Sequence, residues 1–136
     1  MRAIVTETFG GPEVLSLTEL TDPVSGPGEV LIEVVASGVN RADLMQRQGL
    51  YPPPRGVTDI LGLEVSGRIA AVGEGVDGWQ PGDACVALLA GGGYATVAAV
   101  PAGQVLRPPH GMDLVTAAGL LEVAATVTSN LTRVAL

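Results

Sequence analysis

Few side chains in this sequence have wide chemical reach, and their scarcity narrows the chemistry. There is one histidine, His110, and one cysteine, Cys85, and all seven basic residues are arginine. Without lysine there is no Schiff base and no lysine-anchored phosphate loop. A zinc site draws about three or four converging Cys, His or acidic ligands, so a site built from His and Cys is excluded. Any Ser-His-Asp or Cys-His scheme rests on His110 alone. That histidine sits in a Pro108-Pro109-His110-Gly111 turn, where solvent exposure is its ordinary state. Cys85 lies in an apolar run and reads as a small, inert core residue. An intrachain disulfide is impossible, and a reducing cytoplasmic setting is expected.

Three clusters remain. Asn40, Arg41 and Asp43 open a short polar helix directly after an apolar strand. Helix capping and surface pairing account for them without function. Asn40 at a strand end, followed by Tyr51 in a proline-stiffened loop, also suits the lining of a cleft, and the residues alone leave both readings open. Gly73 to Gly78 spells the dinucleotide fingerprint, but Trp79-Gln80-Pro81-Gly82-Asp83 follows where a helix must hold the pyrophosphate. Glu74 and Asp77 would repel that group as well, so a β-turn is the better account. The run Gly91-Gly92-Gly93 before Tyr94 permits close approach of a ligand, although a hairpin turn explains it more simply.

The chain has 136 residues, 47% of them hydrophobic and 15% charged, which excludes a disordered chain and allows a single core. The net charge of −7 and four aromatic residues exclude a nucleic-acid binder. No apolar segment of signal-peptide type opens the chain. The stretch between Asp83 and Arg107 is uncharged over the length of a membrane span, but its glycine run and Pro101 break any helix there. It reads as two buried strands joined by a glycine turn, and no membrane partner is expected.

Elements that could position these residues follow from periodicity. Residues 3–8, 14–20, 29–37, 60–72, 85–89 and 94–100 read as strands, with a further one over 104–107. Residues 14–20 alternate as a half-buried strand does, and Val30, Ile32 and Val34 share one face of the strongest strand. Gly62 and Gly67 suggest bulges or close backbone approach. Asn40 caps a helix over 40–48, with Asp43 as its box-like partner and Gly49 as its stop. From Asp113 on, Leu114, Ala117, Leu121, Ala124, Ala125, Leu131 and Val134 recur at helical spacing, with a kink or interruption at Gly119. The expected architecture is mainly β: a barrel-like domain over 1–112 and a C-terminal helix over 113–136.

The order of motifs along the chain carries a resemblance. Gly38 to Tyr51, then Ile60-Leu61-Gly62-Leu63-Glu64-Val65-Ser66-Gly67, then Gly73 to Asp83 and Leu89 to Ala95, closely resemble the zinc-independent quinone oxidoreductases of the medium-chain dehydrogenase/reductase superfamily. The resemblance implies a GroES-like, partly open β-barrel and the NADPH-dependent branch that reduces quinones. Zinc-dependent relatives carry His where Leu63 stands. The resemblance further implies that hydride passes directly from nicotinamide to quinone while the protein positions both. Asn40 and Tyr51 would line the cleft where the two meet and serve as the catalytic pair. Thr126 would bind the nicotinamide carboxamide alongside them, with Gly91 to Gly93 close by. No metal is implied.

Departures from the family pattern bear on function. Relatives continue from the last helix into a Rossmann domain, absent from this sequence, and NADPH affinity should fall accordingly. Leu121 stands where a Pro is expected, Thr128 where an aromatic is usual, and Thr96-Val97 where an acidic-aromatic pair is usual. Thr132-Arg133 is more polar than usual. One expectation is a truncated or engineered catalytic domain, inactive alone. The alternative is a stand-alone GroES-like binding or assembly module that associates through the C-terminal helix.

Overall fold

In the computed structural model, which describes residues 1–134, two antiparallel sheets form a curled, partly open barrel. β1 (Arg2–Thr6) and β2 (Leu15–Glu19) make a hairpin. A five-stranded sheet has the order β6-β3-β4-β5-β7, with β3 at Glu29–Ser37, β4 at Glu64–Val72, β5 at Ala84–Leu88, β6 at Val97–Pro101 and β7 at Val105–Leu106. Residues 94–96 join the sheets: Ile4 N–H donates to Tyr94 O at 2.8 Å, Thr96 N–H to Arg2 O at 2.9 Å, and Val34 N–H to Thr96 O at 3.0 Å. Every strand pairing among the described residues is antiparallel. This is the mainly β architecture that the sequence implied.

Alternation builds the interior. Val30 and Ile32 of β3 are fully buried and Val34 packs against them, with Val65, Ile69, Cys85, Ala87 and Val100. The register between β3 and β4 shifts around Val35, opposite Gly67. A Cβ on Gly67 would strike the Glu33 carbonyl, which is the close approach expected there.

Three expectations change. Residues 60–63 form an extended loop, not strand, because Gly62 takes φ +104° and turns the chain into Glu64. Leu17 is exposed rather than half-buried, since β2 has β1 alone as a neighbour and no layer covers it. The glycine run is no hairpin: β5 and β6 do not pair, and β3 and β4 lie between them. The C-terminal helix is interrupted near Gly119, as expected, into α2 (Leu114–Ala117) and α3 (Leu121–Ser129), which is followed by a π-helical turn at Asn130–Val134. Ala117 and Ala118 are buried against the sheet, whereas Leu131 and Val134 are exposed, so the apolar spacing continues past the contact it was expected to make. By length and composition the helical segment Leu114–Val134 is apolar enough to cross a membrane, whereas the uncharged residues 84–106 form strands and turns.

Cys85 is fully enclosed, and burial pushes its thiol up to about 11, with the Asp83 charge adding to the rise and a backbone hydrogen bond at Gly67 opposing it. The unfolded chain therefore releases this proton first. Stability should fall as pH rises from about 9 toward 11, and Cys85→Ala should remove that slope. In the native protein a disulfide reagent should label Cys85 about 10³-fold more slowly than in denaturant, because labelling waits for opening. Equal rates would show the strand is not enclosed.

Candidate functional site

The site forms where β3 ends and α1 (Arg41–Arg47) begins. Asn40 is the extended residue before the helix, and Asp43 Oδ2 accepts its N–H at 2.8 Å, the return arm of a capping box. The same Oδ2 accepts the Tyr94 hydroxyl at 3.0 Å. Burial and the neighbouring Asp43 charge and hydrogen bond push that phenol well above its ordinary range. Asp43 is buried, and its Oδ1 has no partner.

Glu64 is the centre of the arrangement. It opens β4, is 1% exposed, and no cation neutralises it among the described ion pairs. Its Oε1 accepts Asn40 Nδ2 at 3.0 Å and its Oε2 accepts the Glu122 N–H at 2.9 Å. Glu122 lies in the first turn of α3, so the carboxylate sits at the positive end of that helix. Gly38 leaves the room it needs, because a Cβ there would strike the carboxylate. The Ser66 hydroxyl, fully buried, donates to the Leu114 carbonyl and pins α2 to the same strand. Strand β4 thus holds Asn40 on one side and both C-terminal helices on the other.

Of the residues singled out by resemblance, Asn40 and the first turn of α3 meet through Glu64. Thr126 stands one turn further along α3, exposed, with its hydroxyl 3.4 Å from Glu122 Oε1. Tyr51 is half exposed and lines a cleft of about 400 Å³ at the other end of α1, with Gln46, Phe9 and Pro52. Neither Asn40 nor Thr126 lines that cleft. Gly93 packs on the Gly62 backbone, and Gly91 and Gly92 lie against residues 57–60. His110 is exposed in its loop. Among the described residues no group of three His, Cys, Asp or Glu side chains converges as a metal site would require.

Sequence reasoning quoted Glu64 within a motif but gave it no role. Its signal was present: it is the lone carboxylate of a mostly apolar strand, and such a group must be hydrogen-bonded once buried. The Tyr94–Asp43 bond had no such signal, since 51 positions separate the two residues.

Nicotinamide chemistry fits part of this donor set. The exposed Thr126 hydroxyl both donates and accepts, as a carboxamide requires. Among the described residues the phosphate end finds no such match. Gly73–Gly78 leads through turns into β5 rather than a helix, and the Glu122 N–H at the start of α3 is taken by Glu64.

An antiparallel, partly open barrel whose central strand buries a Gly-Leu-Glu carboxylate under a C-terminal helix defines a class. The chain belongs to the alcohol dehydrogenase GroES-like domain family, which matches residues 26–110, within the medium-chain dehydrogenase/reductase superfamily. Among its relatives are the synaptic vesicle membrane protein VAT-1 homolog of Rattus norvegicus, 40% identical over 89% of this chain and 30% of that protein, and the quinone oxidoreductase of Lama guanicoe, 39% identical over 83% and 35%. The Escherichia coli quinone oxidoreductase, solved in complex with NADPH, superposes with a TM-score of 0.89 at 32% identity, over 98% of this chain and 41% of that one. The chain spans about a third of the length of the curated relatives it matches.

Proposed function

We propose that this barrel is the substrate-side half of an NADPH-dependent reductase that delivers hydride to a quinone. The observation that supports this reading is the Glu64 carboxylate, which ties the Asn40 amide to the first turn of the helix bearing Thr126. The bound nicotinamide would supply the hydride. Thr126 would hold its carboxamide, and Asn40, with its Nδ2 fixed on Glu64, would present a preset amide to the ring. Tyr51 would donate its hydroxyl to the quinone oxygen on which negative charge grows, the place where a fixed donor lowers the barrier most. The single free, buried cysteine is the ground for placing the protein in the cytoplasm.

The test is NADPH oxidation with an ortho-quinone. Tyr51→Phe should lower turnover by about 10-fold or more with little change in melting temperature, since one exposed hydroxyl is removed. Asn40→Ala should lower it as well. Absence of turnover at every protein concentration would reject catalysis by this chain alone.

A second reading, an assembly module without catalysis, draws on the outer face of the C-terminal segment, where Val123, Val127, Leu131 and Val134 are exposed together. Light scattering separates the two. A dimer dissociated by Val127→Glu would favour association through this face, and a monomer would remove that reading.

A further inference from the structure

Strand β2 ends its sheet with β1 as its one neighbour, and the backbone groups on its other edge can be assigned residue by residue. Leu20 N–H donates to Met1 O at 2.8 Å, which makes Met1 and Leu20 a hydrogen-bonded pair. Such pairs alternate along an antiparallel ladder. Thr18 and Ser16 therefore turn their backbone groups to β1, and Leu15, Leu17 and Glu19 turn theirs away. The far edge of β1 shows the same parity: Arg2 and Ile4, which pair with Glu19 and Leu17, bond outward to Thr96 and Tyr94. Leu15 N–H is taken by Pro12 O. The Leu15 carbonyl and both backbone groups of Leu17 and Glu19 have no partner among the described residues. Edges of this kind are ordinarily guarded by proline, lysine or a bulge. Residues 15–19 contain no proline and no lysine, and their register to β1 runs without a shift. Leu17 is 64% exposed and lines an open groove with Ile4 and Val35.

We propose that two copies of this chain pair through β2, antiparallel, about a two-fold axis at Leu17. The free groups match themselves in that register. Leu17 N–H meets the Leu17 carbonyl of the second copy, and Glu19 N–H meets its Leu15 carbonyl, each twice by symmetry. The Leu15 N–H, which would complete the set, is the one already occupied, and the Glu19 carbonyl it would have met stays in water. Leu17 packs beside its twin on one face. Charge selects this register over its neighbours. A slip of two residues one way sets Glu19 diagonal to Glu19 of the second copy, and the other way sets it opposite Glu13 in the turn before β2. A slip of one residue turns outward groups against inward ones, and no bonds form. The product is a closed dimer with a continuous sheet in the order β1-β2-β2-β1. An unrelated strand would meet the same backbone but without donors, acceptors and charges already in register. The pairing uses a face other than α3 and rests on nothing in the hydride-transfer reading.

Sedimentation equilibrium on the chain as it stands, up to about 1 mM protein, tests this. The expected result is a monomer–dimer equilibrium with a dissociation constant of about 10⁻⁴ M, as suits a small interface. Leu17→Pro deletes an N–H that points outward and leaves every bond of the β1–β2 ladder. It should weaken the dimer by about 10-fold or more with the hairpin intact. Leu17→Lys keeps the N–H but sets two ammonium groups on residues about 5.5 Å apart, and should weaken it as much. Should the proline variant fail to fold, the lysine variant decides. Val127→Glu, on α3, should change nothing. In a Cys85→Ala background, Leu17→Cys should oxidise to a covalent dimer about 10-fold faster than Leu15→Cys, because Leu15 lies opposite Glu19 and far from its own twin. The proposal is overturned by a monomer at about 1 mM, by growth beyond a dimer, by a dimer that both Leu17 variants leave intact or that Val127→Glu dissociates, or by equal oxidation of the two cysteine variants. No outcome depends on turnover.

Discussion

Glu64→Ala is expected to lower the melting temperature by about 10 °C or more and to release the Glu122 amide to solvent exchange. The carboxylate accepts two hydrogen bonds in a place water does not reach, one from the Asn40 amide and one from the first turn of α3. Alanine leaves both donors without partners, at about 1–3 kcal/mol each, and adds a cavity. Burying a carboxylate is itself costly, and replacing a whole buried charged cluster with apolar residues is often neutral. That relief does not arise here, because the substitution removes the acceptor and keeps the donors. Glu64→Gln should fall between the two: one oxygen survives, while the new amide faces a donor, so about half of the loss is expected. The control is Ile32→Ala, also fully buried, at about 2–5 kcal/mol. It should lower the melting temperature comparably without singling out Glu122 among the amides that exchange. A Glu64→Ala protein that melts within about 3 °C of the unaltered chain would mean that α3 is held by something else.

How far the sequence reached can be judged from single elements. Strand β3 was fully legible, because Val30, Ile32 and Val34 alternate against Leu31 and Glu33 and no other element competes for the pattern. The capping of α1 by Asn40 and Asp43 was legible for a similar reason: a helix start is a local event over four residues. The glycine run before Tyr94 was not. A hairpin and a crossing use the same residues, and only the sheet order, in which β3 and β4 separate β5 from β6, tells them apart. The C-terminal segment misled in another way. Its apolar spacing is real, but spacing says that a face is apolar and not what covers it, and past the first turn of α3 the barrel no longer does. At the site, resemblance supplied Asn40, Tyr51 and Thr126, but the residue that ties Asn40 to the helix bearing Thr126, Glu64, opens β4. Long-range pairing of that kind leaves no periodic trace.

The crossing at Gly62 gives the second large effect, and it binds fold to site. Gly62→Ala should cost about 2–5 kcal/mol: about 1–2 for a side chain at φ +104°, and about 1–3 for overpacking. The overpacking has no cheap relief. The new Cβ would lie 2.7 Å from Gly93 Cα and 2.7 Å from Tyr94 N, both of them backbone atoms, and 2.6 Å from Tyr94 Cδ1. These two stretches are laced together by Gly93 N–H to Gly62 O at 3.0 Å and Tyr94 N–H to Leu61 O at 2.8 Å, so neither retreats alone. Gly75→Ala isolates the first contribution. Gly75 has φ +77° with nothing within 4 Å of its added Cβ, and should cost only the conformational part. The difference between the two variants measures the close approach. It also has a spectroscopic reading, because displacing Tyr94 separates its hydroxyl from Asp43, whose charge and hydrogen bond, after burial, hold the phenol up. Tyrosinate absorbance should therefore develop at lower pH in Gly62→Ala than in Gly75→Ala. Since Asp43 Oδ2 also accepts the Asn40 N–H, a Tyr94 that has moved leaves the cap of α1 with one fewer constraint, and Asn40 with it. If Gly62→Ala melts and titrates as Gly75→Ala does, the backbone approach is slack and the route from glycine to Asn40 does not exist.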